Sequence, residues 1–302
     1  MNVVSKVIRV VKSQGLAHSL GYTFSAVPSL ADYYLNPFAM KRSKLPDADY
    51  EQVRAQMECA GLDVKRYHVD VATFRNWLDR AAFPKEYVAL YGPVFVEKAL
   101  EHYLSASLLD LRGDVFIDIA AASSPWYEIA QRLYGCTAYA LDLSYPRGIH
   151  DRKIGADATN MPLADGFASR LALHCSYEMF EGNADIRLLS EAARVLASGG
   201  QMVILPLYMH HLYHYVESAP GADRRGLDYD GAIRVWSERP FGHRFSRRYS
   251  VDALMARVVG HLEGLSLRIY YVENEKEIDP SCYCKFVGMF QKPVSSLSVK
   301  EN

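Results

Sequence analysis

The spacing of apolar residues changes character near Gly113. Upstream, residues 1–110 read as helical stretches and loops, punctuated by Pro28, Pro37, Pro46, Pro84 and Pro93. The clearest helix there runs from Val94 to Leu109, with Val96, Leu100, Tyr103 and Leu104 on one face. Downstream, short β-rich apolar runs alternate with amphipathic segments. Asp114–Asp118 and Thr137–Asp142 predict strands that each end in an acid. Arg170–Cys175, Gln201–Pro206, Leu265–Val272 and Lys285–Gln291 predict further strands. Trp126–Tyr134 and Ala184–Leu196 predict helices, the second with Ile186, Leu189, Ala193 and Leu196 inward and Gly199-Gly200 as its stop.

Strands alternating with helices of this length predict a doubly wound, Rossmann-like α/β fold with a seven-stranded, mainly parallel sheet. The expected organisation is an N-terminal helical extension over 1–110 and a main domain over 111–302. Residues 208–250 leave the carboxyl end of a strand and are too long for a simple crossover. They read as an insert that covers a substrate.

Composition adds limits. The chain has 302 residues, half of them apolar, and a net charge of −1. No global field draws it to nucleic acid, so no such partner is expected. Five scattered cysteines without a two-residue gap fit free thiols in a reducing, cytoplasmic setting and assign no metal. The start Val3-Val4 is broken by Lys6, Arg9 and Lys12, which excludes a signal peptide. No run reaches the ~18 apolar residues of a membrane span. Residues 3–20 form an amphipathic pattern with Val4, Val7, Ile8 and Val11 on one face. That face suits docking on the protein's own body or weak association with a membrane surface.

The turn after the first strand reads Asp118-Ile-Ala-Ala-Ala-Ser-Ser-Pro125. Small side chains there, Ala120, Ala122, Ser123 and Ser124 among them, let a ligand approach the backbone. Asp118 can accept hydrogen bonds from a cationic amine. The turn lacks the glycines of G-x-G-x-x-G, and its acid would repel a pyrophosphate, which counts against a dinucleotide. Asp142, ending the second strand, suits a ribose diol.

Over residues 113–207 this succession resembles the class I S-adenosylmethionine (SAM) dependent methyltransferases, type 11-like. Gly155-Ala-Asp157-Ala-Thr-Asn-Met-Pro162 and Glu191-Ala-Ala-Arg194-Val-Leu-Ala-Ser-Gly199-Gly200 complete the resemblance. It implies SAM as cofactor. The implied contacts are Asp118 and its turn, Asp142 and Leu143 at the ribose, Asp157 and Ala158 at the adenine amino group, and His174 and Cys175 near the methionine moiety. The family's three turn glycines are Ala120, Ala122 and Ser124 here. Side chains at these positions oppose positive φ, so the turn is expected to depart from the family geometry.

The run Tyr208-Met-His210-His211-Leu-Tyr213-His214 follows the fifth strand of this pattern. A histidine titrating near neutrality suits removal of an acceptor's proton, so His210, His211 and His214 are candidate bases. Glu178 is a candidate contact to the acceptor. Six arginines against two acids over 234–257 suit an anionic group. Tyr208, Tyr213, Arg244, Arg247 and Arg248 are therefore candidate acceptor ligands. The N-terminal stretch also looks similar to those of bacterial surface-polysaccharide enzymes. Together these point to O-methylation of a sugar or other glycan-related acceptor. A small-molecule N-, C- or O-methyltransferase, and a non-catalytic protein of the same fold, stay open as alternatives, and a homodimer is compatible with the pattern.

Overall fold

The computed structural model describes residues 45, 47–217, 230–236 and 246–294. In chain order its elements begin with α1 (Tyr50–Cys59), β1 (Asp63–Tyr67), α2 (Val71–Ala81), α3 (Lys85–Tyr91) and α4 (Phe95–Leu109). Next come β2 (Val115–Ile119), α5 (Trp126–Tyr134), β3 (Thr137–His150), β4 (Lys153–Gly155), β5 (Ala168–His174), α6 (Ala184–Val195) and β6 (Leu196–Leu205). The last are β7 (His214–Glu217), β8 (Ile233–Trp236), β9 (Ser246–Arg248), α7 (Val251–Arg257), β10 (Ser266–Val272), α8 (Glu275–Ile278) and β11 (Phe286–Gln291). They fall into two compact units, one of Ala48–His211 with Tyr249–Asn302, the other of Met1–Asp47 with Leu212–Arg248. The amphipathic segment at 3–20 and Arg244 lie outside the described residues.

The larger unit holds a sheet in the order β1-β10-β11-β6-β5-β2-β3-β4. Pairs β2–β3, β2–β5, β5–β6 and β1–β10 are parallel, and β11 is antiparallel to both neighbours. The doubly wound, mainly parallel sheet expected from the sequence is present, with eight strands rather than seven. The two edge strands, β1 and β4, are the ones the sequence does not mark, and β1 falls in a stretch that reads as helices and loops. It pairs Asp63–Tyr67 with Arg268–Val272. Its sequence, Asp-Val-Lys-Arg-Tyr, has no apolar alternation. What makes it a strand is the free hydrogen-bonding edge of β10, which is far away in sequence.

Strands β2, β5 and β6 are apolar on both faces, as a covered parallel sheet requires. Phe116, Ala172 and Val203 join one core with α2, α4 and α5. Ile117, Leu171 and Ile204 on the opposite face are also fully buried. Helix α2 starts at Asp70, whose carboxylate accepts from Thr73 N at 2.6 Å. It drives Trp77 against Tyr103 of α4 and Trp126 of α5, with centroids 5.4 and 5.9 Å apart. These rings fix the two helices that flank the β2 turn. Helix α6 ends at Val195, before Gly199-Gly200. Those glycines lie inside β6 instead, where Gly199 has φ +76°.

The smaller unit contains a three-stranded sheet in the order β8-β7-β9. Strand β7 is parallel to β8 and antiparallel to β9. Among the described residues no helix is long and apolar enough to cross a membrane.

Candidate functional site

The turn after β2 keeps positive φ without glycine. Ala120 has φ +56° and Ala122 has φ +47°, against the expectation that side chains there oppose positive φ, whereas Ser124 is not among the positive-φ residues. The middle of β3 supplies the reason. Ala121 N donates to the Leu141 carbonyl at 3.0 Å, and Ala122 N donates to Asp142 Oδ2 at 2.8 Å. The Tyr145 hydroxyl donates to the Ala122 carbonyl. These bonds outweigh the steric cost of two alanines in the left-handed region, roughly 1–2 kcal/mol each.

Beside this turn lies a pocket of about 410 Å³, past the carboxyl ends of β2, β4 and β5 and next to Leu141–Leu143 of β3, within the range of small-molecule sites. Ala120, Asp142, Leu143, Asp157 and Ala158, all expected cofactor contacts, line it. Asp142 Oδ1 accepts from Ser144 N and Oγ at 2.8 and 2.6 Å, while among the described residues Oδ2 accepts only from Ala122 N. A carboxylate oxygen has two acceptor positions, so Oδ2 can take one more donor. Leu143 is 77% exposed, an apolar side chain at the pocket's edge.

The loop that carries Asp157 is pinned by Arg194. Its guanidinium pairs with Glu191 and Asp165, both at 2.7 Å, and also donates to the carbonyls of Leu163 and Met161. Gly155 opens the same loop. A Cβ there would run into the Pro146 and Tyr145 carbonyls, so only glycine lets β4 lie this close to the β3 turn.

The remaining expected cofactor residues have other partners. Ser124 Oγ accepts from Trp126 N at 3.2 Å, which starts α5. Ser123 is exposed outside the pocket lining. Asp118 is buried, with Oδ1 2.9 Å from His174 Nδ1, and His174 Nε2 is 2.9 Å from Ser105 Oγ. Ser105 donates its own proton to the His102 carbonyl. His174 Nε2 must therefore be the donor to Ser105, and the Asp118–Nδ1 contact holds one further proton. Burial pushes the Asp118 carboxyl upward and the neighbouring His174 opposes the shift. Asp118 Oδ2 stays buried without a hydrogen-bond partner.

Sequence reasoning missed Ser176, Met179, Phe180, Glu181, Ala184 and Arg187 of the pocket lining. They follow β5 on a short 3₁₀ turn at Tyr177–Met179 and the start of α6. Their only sequence signal is position, just past the carboxyl end of a parallel strand. Ser176 Oγ is buried and has no hydrogen-bond partner.

A second polar group gathers around Cys175, where β5 ends with φ +49°. Cys175 Sγ is 3.4 Å from Glu178 Oε1, 3.5 Å from the Tyr208 hydroxyl and 3.8 Å from the Tyr283 hydroxyl. Burial pushes the thiol up to about 12, with Glu178 adding to the shift. Tyr208 and Glu178, both expected near the acceptor, thus meet at one place. His210 and His211 stack at 4.0 Å, and His210 N donates to the Tyr249 carbonyl.

The other expected acceptor residues belong to the smaller unit. His214 Nδ1 donates to the Leu212 carbonyl at 2.9 Å. Tyr213 donates to Asp230 at 2.9 Å. Arg247 is fully buried and donates to the Tyr215 hydroxyl at 3.0 and 2.9 Å. This burial corrects the expectation of an Arg247 displayed to an anion. Arg248 donates to Ser246 Oγ. Among the described residues no group of three or more His, Cys, Asp and Glu side chains could hold a metal.

No family model matches the chain. No curated protein sequence matches it either. Solved structures do align with it. The Burkholderia thailandensis 1,6-didemethyltoxoflavin N1-methyltransferase, solved with S-adenosylhomocysteine, is 12% identical over 83% of this chain and 93% of its own, with a TM-score of 0.45. A SAM-dependent methyltransferase from Mesorhizobium loti is 13% identical over 64% and 98%, with a TM-score of 0.41. The [4+2]-cyclase SpnF is 15% identical over 64% and 80%, with a TM-score of 0.39.

Proposed function

We propose that this chain is a SAM-dependent methyltransferase acting on a small polar acceptor. The observation that carries the reading is the pocket beside the left-handed turn at Ala120 and Ala122. Its lining combines a backbone open to close approach with two carboxylates, Asp142 and Asp157, and an exposed apolar edge, Leu143. That combination suits a nucleoside: carboxylate acceptors for ribose hydroxyls and an exocyclic amine, and an apolar face for the base. The unpartnered, buried Ser176 Oγ offers a further polar contact in the same lining. SAM, when bound, supplies a methyl group on a sulfonium.

The chain's own part is to hold the acceptor and take its proton. We assign the proton to Glu178, whose carboxylate is gathered with Cys175 and Tyr208. Calorimetric titration with SAM and S-adenosylhomocysteine tests the cofactor. Binding that weakens at least about tenfold in Asp142→Asn supports the reading, and no binding at millimolar ligand defeats it. Transfer of labelled methyl to fractionated cell extract separates an enzyme from a non-catalytic binding protein.

A second reading keeps the sugar hydroxyl as acceptor and a histidine of the 210–214 run as base. The stacked His210–His211 pair favours it. Alanine variants of His210, His211 and His214 test it, and an unchanged kcat in all three removes it.

A further inference from the structure

Asp142, Ser144 and Tyr145 of β3 act together on the turn after β2. Ser144 N and Oγ donate to Asp142 Oδ1 at 2.8 and 2.6 Å, which fixes the plane of that carboxylate. Asp142 Oδ2 accepts from Ala122 N at 2.8 Å. The Tyr145 hydroxyl donates to the Ala122 carbonyl. Ala122 is therefore gripped at both of its backbone polar groups, and it stands at φ +47°. The backbone torsions of a residue set the angle between its N–H and its C=O. A return of Ala122 to negative φ would turn one of the two groups away from its partner on β3.

The Tyr145 ring is half-buried and packs on the core that includes α5. Lys153 Nζ lies 5.3 Å from its centroid. The ring is thus fixed, and its hydroxyl reaches the turn from a set position. Asp142 lines the nucleoside pocket and Tyr145 does not. Any influence of Tyr145 on that pocket runs through Ala122.

We propose that Tyr145 is a positioning residue for the cofactor. Its hydroxyl holds Ala122 in the left-handed region and, through Ala122 N, keeps the Asp142 carboxylate set for a ribose. The clamp rests on these contacts alone; its effect on affinity rests on the methyltransferase reading above. Alanine disfavours positive φ, so a turn released at its carbonyl relaxes away from this shape. A ligand must then re-impose the shape as it binds, and the ordering lowers its affinity. Glycine adopts the left-handed region at no steric cost. With glycine at position 122 the tyrosine hydroxyl becomes dispensable. In this chain a side chain from the neighbouring strand does what glycine would do from within the turn.

Tyr145→Phe keeps the ring and removes only the hydroxyl. Calorimetric titration with S-adenosylhomocysteine compares four full-length proteins: the parent, Tyr145→Phe, Ala122→Gly and the pair. With alanine at 122, Tyr145→Phe should weaken binding about fivefold to tenfold. With glycine at 122, the same change should weaken it less than about twofold. The backbone carbon shifts of Ala122, measured without ligand in alanine-labelled protein, report the sign of its φ. They should be left-handed in the parent and move toward negative φ in Tyr145→Phe. Unchanged affinity in Tyr145→Phe overturns the proposal. So does an equal loss in both backgrounds, the mark of general damage to the pocket, or a set of Ala122 shifts that does not move. If S-adenosylhomocysteine fails to bind the parent at millimolar concentration, the methyltransferase reading and the affinity effect fall together, and the Ala122 shifts decide the clamp by themselves.

Discussion

Ala120 and Ala122 hold positive φ where glycine would do so freely, and replacing either with glycine should stabilise the protein. At φ +56° and +47° each alanine bears a steric cost of roughly 1–2 kcal/mol. Glycine removes that cost but widens the unfolded ensemble, which takes back roughly 0.4–1 kcal/mol. The net expectation is a gain of about 0–1.6 kcal/mol per site, centred near about 0.8 kcal/mol. The hydrogen bonds that set the turn involve backbone atoms of residues 121 and 122, so both variants retain them. The two sites lie in one turn, and the double variant should gain less than the sum. Urea unfolding measures the change, with Ala55→Gly inside α1 as the control. At that helical position the same substitution should lose about 1 kcal/mol. If Ala120→Gly and Ala122→Gly lose stability as the control does, the turn is not strained and the reasoning fails.

Removing Arg194 should free the loop that carries Asp157. Arg194→Ala is expected to weaken S-adenosylhomocysteine binding about tenfold while costing about 1–2 kcal/mol of stability, read by calorimetry and urea unfolding. Gly155→Ala forces a Cβ against the Pro146 carbonyl. A loss of roughly 1–3 kcal/mol is expected in the same unfolding assay, and an unchanged midpoint would contradict that close approach. Burial raises the Glu97 carboxyl above the ordinary glutamate range. A raised carboxyl contributes stability below about pH 4.5 that is lost as pH rises through its folded value. Glu97→Gln lacks this loss, so its stability relative to the parent should climb from pH 4.5 upward. Parallel curves from unfolding across pH would refute the assignment.

The strands that build the site are the part most legible in the sequence. Val115–Ile119, Ala168–His174 and Gln201–Leu205 are short apolar runs between turn signals, and a run buried on both faces cannot read otherwise. The acids that close the apolar runs, Asp118 and Asp142, are equally visible, because each interrupts a stretch of apolar residues. Asp142, Leu143 and Asp157 duly line one pocket. Asp118 shows the limit of that reading. Its carboxylate is taken up by His174, a partner 56 positions away that no local pattern reveals.

What the sequence by itself determined is the order of strands and helices, since that follows from periodicity and local turn chemistry. The tertiary structure alone decided three matters. It made a charged stretch, Asp63–Tyr67, into an edge strand, because β10 offered a bare ladder of backbone groups. It held two alanines at positive φ, because bonds from the middle of β3 outweigh the local preference. It buried Glu97, Lys98 and Glu101 on α4, charged side chains that lie off the apolar row of Val96, Leu100, Tyr103 and Leu104. Burial of a polar side chain depends on what packs above it, and for α4 that is set by β5, β6 and the residues leading into β11, far apart along the chain.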